Sequence, residues 1–263
     1  MKRLFLISLL TTVFTSCTAV QTPPTLSSSP EESPLETMAQ PVSTPSHSMP
    51  YSDQEGLLDE SIKLLKVMLQ APNRTVNEEM LANSNTIVLF PLVIEEEYSS
   101  KAAFGNGVVS MRSPDGTWGP PIFHQLMGVN FGQWAGLKAW DLVFLVVSEK
   151  GRSAMFNPAY QFGQQVSMEF GPIDMHPNFS IQPYLSKRDI YVYSRAQGAF
   201  VGLGSRGGMI NNNEGANSKF YGGAHSSKEI LLKEGGIPLP EAAQSFIDEL
   251  NKIAPAKVTI NAT

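Results

Sequence analysis

Between residues 86 and 203 the apolar side chains of this 263-residue chain come in short, strand-length blocks, closed again and again by proline, glycine or Asp-Gly turns. That punctuation predicts a β-rich core. Residues 86–90 (TIVLF) form a buried-strand run closed by Pro91. Residues 104–111 and 117–123 flank Ser113-Pro114-Asp115-Gly116, a turn signal that predicts a hairpin. Residues 140–147 (WDLVFLVV) make the strongest strand run, and further strands are expected over 161–170, 190–194 and 199–203. Glycines recur near the expected strand ends and bends, as a closed or strongly curved sheet requires.

On either side the apolar period becomes helical. Over 56–70, Leu58, Ile62, Leu65 and Leu69 recur at helical spacing, widened by Leu57, Leu64 and Met68, before Ala71-Pro72-Asn73 stops the run. A short helix is expected over 77–82, and helices return over 226–232 and 240–253. The expected fold is one α+β domain over 56–263. It is a small antiparallel β-barrel or strongly curled sheet (core about 86–222) with an N-terminal amphipathic helix and C-terminal helices over 226–253. The amphipathic helix has two readings: it covers the barrel as part of the core, or it lies apolar face down on a membrane. Its acidic residues Asp53, Glu55, Asp59 and Glu60 outnumber Lys63 and Lys66, which opposes strong attraction to anionic lipid.

Before the domain the composition changes twice. Lys2 and Arg3 precede an apolar run of about eleven residues, Leu4 to Phe14, the length of a signal-peptide h-region and too short to span a bilayer core. Phe14-Thr15-Ser16-Cys17 resembles the lipobox of bacterial lipoproteins, with phenylalanine where leucine is usual. The resemblance implies a signal peptide over 1–16 and a covalent acyl or diacylglycerol (palmitate-type) anchor on Cys17, the single cysteine. The alternative is ordinary secretion with a coincidental cysteine. From there to residue 55, Pro23, Pro24, Pro30, Pro34, Pro41, Pro45 and Pro50 sit among Ser, Thr and Glu, a composition expected of a disordered tether. The expected location is the cell envelope. Thr18 in place of aspartate resembles the sorting signal for the periplasmic face of the outer membrane, if the cell is diderm.

Catalytic chemistry is hard to find. The formal charge is −5, and loss of Lys2 and Arg3 leaves 17 basic against 24 acidic residues, so nucleic acid is excluded as a partner. His47, His124, His176 and His225 show no metal-ligand spacing; His47 falls in the tether, and the other three read as surface or turn residues. There is no Gly-x-Ser-x-Gly elbow and no cysteine beside a histidine, which leaves a hydrolase without a nucleophile. Gly202, Gly204 and Gly207 fit a dinucleotide fingerprint, but that motif needs a following helix, and Asn211-Asn212-Asn213-Glu214-Gly215 reads as a turn. Glu95-Glu96-Glu97 reads as a solvated loop or edge, with a weak cation site as the alternative. No enzyme activity, cofactor or metal is expected.

From Ile87 to Gly222 the chain resembles the SYLF domain family. The likeness runs through Ile87-Val88-Leu89-Phe90-Pro91, Phe104-Gly105-Asn106-Gly107-Val108, Trp118-Gly119-Pro120-Pro121, Gly132, Gly136 and Asp141-Leu142-Val143. It continues in Gly171-Pro172, Tyr193-Ser194-Arg195, Gly198, Phe200, Gly202, Asn217 and Phe220-Tyr221-Gly222, with Glu229-Ile230-Leu231-Leu232 in the flanking helix. The resemblance implies a β-barrel with packed helices, no catalysis and association with membrane phospholipids. An actin-associated role belongs to the family's eukaryotic members. Departures fall at Glu95, Glu97, Lys101 and Ala102, where a lysine and a glycine-rich stretch are usual, and at Trp134, where glutamine is. The candidate head-group contacts are Lys63, Lys66, Lys101, Lys187 and Arg188. The alternative partner is an envelope protein.

Overall fold

A bulge at a proline sets the curvature of the sheet. The computed structural model describes residues 53–70, 76, 78–95, 103–129, 139–161, 166–171, 185–196, 199–200 and 209–256. These all belong to one compact unit, His47–Thr263. Strand β1 (Thr86–Glu95) does not stop at Pro91 as its sequence suggests. Its register to β2 (Ala103–Met111) and to β4 (Ala139–Val146) slips between Phe90 and Val93. Proline has no N–H to give the ladder, so a bulge is where a central strand can hold one. The extra residue puts Phe90 and Val93, three positions apart, into the same apolar cluster.

The turn at Ser113–Gly116 joins β2 to β3 (Ile122–Val129), which starts five residues later than expected. The connecting stretch is an arch held by one bridge, Arg112 to Trp118. The remaining strands are β5 (Ala159–Gln161), β6 (Met168–Phe170), β7 (Ile190–Ala196), β8 (Ala199–Phe200) and β9 (Met209–Asn212). The sheet order is β5-β9-β3-β2-β1-β4-β7-β6, with β8 on β7. Among the described residues all strand pairs are antiparallel except β6 with β7, which is parallel. The sheet curls strongly, and its two edge strands approach where the Tyr160 hydroxyl donates to Met168 Sδ at 3.6 Å.

Side chains alternate between two buried faces. Val88, Phe90, Leu126, Trp140, Leu142, Phe144 and Val192 fill the concave side. Ile87, Leu89, Val108, Phe123, Val143, Leu145, Tyr191 and Tyr193 line the convex side under three helices. These are α1 (Gln54–Gln70), α2 (Glu78–Asn83) and the last helix, α6 (Glu241–Ile253). Helix α1 opens where the Asp53 carboxylate accepts from Gly56 N–H, and it buries Leu57, Leu58, Ile62, Leu64, Leu65 and Met68. At about 1.5–3 kcal/mol per buried side chain, that face is committed to the core and is not free to lie on a membrane.

Three more short α-helices occur among the described residues. The sequence gives little sign of α3 (Glu149–Ala154), capped by Ser148. Helix α4 (Glu214–Tyr221) corrects the turn expected at 211–215: β9 ends at Asn212, and the Asn213 side chain accepts from Ala216 N–H as an N-cap. Asparagine serves turns and caps by the same hydrogen bond, so composition does not separate them. Helix α5 (Ser227–Leu232) carries a capping box between Ser226 and Glu229. No described helix is long and apolar enough to cross a membrane.

Candidate functional site

The cations nominated from the sequence are not gathered in one place. Lys63 donates to Glu60 at 2.8 Å on its own helix, and Lys66 reaches Glu249 of α6 at 2.8 Å. Arg188 Nε lies 3.3 Å and Lys187 Nζ 4.0 Å from the same Glu169 carboxylate on β6. Each is balanced by a carboxylate, which lowers its value to a phosphate. Lys101 and Cys17 lie outside the described residues, as do Glu96, Glu97 and the glycines at 202–207.

Several buried polar groups are spent on holding the fold. Arg112 donates through Nε to Ser84 O, through Nη1 to Gly116 O and through Nη2 to Ala254 O, with its guanidinium 3.9 Å over the Trp118 ring. Burial pulls its pKa down to about 10, still charged at neutral pH. Trp118 Nε1 also donates to Ala254 O. This clamp ties the start of β1, the end of β2 and the end of α6 together. Asp189 accepts from the Ser148 hydroxyl (2.6 Å) and from Ser167. Burial raises its pKa, and these hydrogen bonds outweigh that, leaving it lowered. On the convex side Asp141 and Arg195 are ion-paired, and burial nonetheless holds the Asp141 pKa above its usual value.

His124 corrects the expectation of a surface histidine. It lies in β3, opposite Gly107 of β2 and Asn212 of β9, and is 1% exposed. Neither ring nitrogen has a hydrogen-bond partner, nor has Asn212 Oδ1. Burial lowers the histidine pKa to about 3, so the ring is neutral. A Cβ at Gly107, the register partner of His124, would strike the Phe90 ring, so this glycine makes room for Phe90. With no hydrogen-bond partner among the described residues, the uncharged imidazole of His124 forms no acid–base pair there. No cluster of three metal-ligating side chains occurs among the described residues.

A further outward feature among the described residues is apolar. Past the reach of the helices, the convex face of the sheet carries a cross-strand row: Ile94 on β1, Phe104 on β2, Met127 on β3 and Met209 on β9, successive register partners. Phe104 is 40% and Met127 39% exposed, with Ile94 and Met209 half-buried. Amides border the row: Gln125 Nε2 donates to Asn106 Oδ1, and Asn211 Nδ2 to Met127 Sδ, each at 3.3 Å. Sequence reasoning missed these residues. Alternation in 104–108 and 123–127 shows that they share a face with Val108 and Phe123, but not that the helices leave that end bare.

The family model for Ysc84, described as "Las17-binding protein actin regulator", matches residues 127–253. Over 145 residues the chain is 31% identical to Protein YSC84 of Saccharomyces cerevisiae, covering 54% of this chain and 31% of that protein. SH3 domain-containing YSC84-like protein 1 is 24% identical in Rattus norvegicus and 23% in Homo sapiens. Each match covers 183 residues, 68% of this chain and 52% of the relative. The chain thus spans about a third to a half of the length of these relatives.

Proposed function

Since this chain belongs to the Ysc84 (SYLF) family, whose model its residues 127–253 match, we propose that it is a membrane-anchored envelope lipoprotein with a non-catalytic phospholipid-binding domain. Cys17 is the acylated residue, and the Pro/Ser-rich stretch after it gives the domain reach. The observation that carries the lipid reading is a contrast on the domain surface. Buried charges and the four described candidate cations are paired within the domain, whereas Phe104 and Met127 face outward side by side. Contiguous exposed apolar side chains mark surfaces that meet another apolar phase. The lysines at 63 and 66 and the pair at 187–188 lose standing as head-group ligands, because each already has a carboxylate partner.

Mass spectrometry of the mature amino terminus tests the anchor: the expected species begins at Cys17 and carries acyl mass. Any other first residue, or no acyl mass, removes the tethered-lipoprotein reading. A second reading has its own support, because the family description names a binding partner for its members. In that reading an envelope protein docks on the domain and the acyl group supplies all membrane affinity. Recovery of a stable crosslinked complex from cells, with no lipid contact by the domain, would favour it.

A further inference from the structure

The partly exposed apolar row lies at the end of the sheet toward which α1, the first described helix, begins. Glu60, in the first half of α1, is close enough to Asp141 for the two carboxylates to repel. Asp141 stands beside Trp140 at the start of β4, and the neighbouring Ala139 is the register partner of Ile94. The second half of α1 runs the other way: Lys66 reaches Glu249 of α6, whose end at Ala254 is held by Arg112, and α2 beyond it feeds the start of β1. The amino end of α1 therefore sits toward the Ile94–Phe104 end, and the carboxyl end toward the Arg112 clamp. The row itself is uncharged, and so are the amides beside it at 106, 125 and 211. Among the described residues beside it, Asp141 and Arg195 neutralise each other and Glu95, next to Ile94, is acidic, so nothing described there attracts an anionic head group.

We infer that this open end, centred on Phe104 and Met127, is the surface by which the anchored domain docks on the bilayer, and that docking needs no anionic head group. The inference rests on the lipoprotein reading above. A chain held by acyl groups at Cys17 presents first the end at which its tether joins, and there the domain offers apolar side chains and neutral amides. Val67, equally exposed but on the second half of α1, lies away from this end.

Because Cys17 is the single native cysteine and its sulfur is acylated in this reading, a cysteine introduced elsewhere is the only free thiol. The acylated full-length protein would carry a nitroxide at Phe104→Cys, Met127→Cys or, as control, Val67→Cys. It would be reconstituted on vesicles of phosphatidylcholine alone and of phosphatidylcholine with phosphatidylglycerol. The expected result is that labels at 104 and 127 gain collisions with oxygen dissolved in the bilayer and lose them with an aqueous nickel chelate. The label at 67 stays aqueous, and both vesicle types give the same pattern. If the protein is held on the vesicles but labels at 104 and 127 are as aqueous as that at 67, the docking inference is overturned and the anchor stands. Immersion only on phosphatidylglycerol vesicles overturns the charge-independent mode. A protein that does not stay on the vesicles at all takes the anchor and the docking surface down together.

Discussion

The two ends of the curled sheet are built on opposite terms. At the end where β1 starts, Arg112, Trp118 and the carbonyl of Ala254 bind the arch, α2 and α6 into one buried knot. At the end where β1 stops, the helices fall short and Phe104 and Met127 face outward. The difference separates stability from contact: the first end holds the fold, and the second can change without endangering it.

That comparison breaks most readily at the knot. Trp118→Ala removes a fully buried ring, its hydrogen bond and the seat of the guanidinium, and is expected to cost about 3–5 kcal/mol, read as a lowered urea midpoint. A loss below that of an ordinary surface substitution would show the clamp to be ornamental. Gly107→Ala tests the middle of the sheet. The added methyl meets the Phe90 ring and comes within 2.7 Å of Leu89 O, for an expected loss near 3 kcal/mol by the same assay.

His124 sharpens the comparison through pH. Its folded pKa lies below its unfolded value of 6.5, so below pH 6.5 the unfolded chain takes up a proton that the folded chain refuses. Stability from this group is lost as pH falls from 6.5 toward about 3, by about 2 kcal/mol between pH 7 and pH 5. His124→Leu should flatten that part of the urea-midpoint profile. An unchanged slope would mean that the ring is reached by water. The smallest effect is expected at the open end, where Phe104→Ser with Met127→Ser should shift stability by no more than about 0.5 kcal/mol each while abolishing vesicle docking. A large loss of stability there would make the row part of the core.

Much of the fold was legible in advance. The helix at 56–70 and the strand at 140–147 appear within two residues of their expected limits, because continuous apolar periodicity is a local property of the chain. Pro91 misled because its effect depends on whether neighbouring strands slip register around it. His124 misled because the late start of β3 places it inside a strand. The site was far less legible: five cations were nominated, and the four described are occupied by Glu60, Glu249 and Glu169, the last two far away in sequence.

Periodicity and punctuation in the sequence by themselves determined an α+β domain with a curled sheet and helices at both ends, since each depends on residues a few positions apart. Only the tertiary structure decided which charges are spent and which apolar face stays bare. Those outcomes depend on how far a helix reaches across strands drawn from distant parts of the chain, and no local pattern encodes that distance.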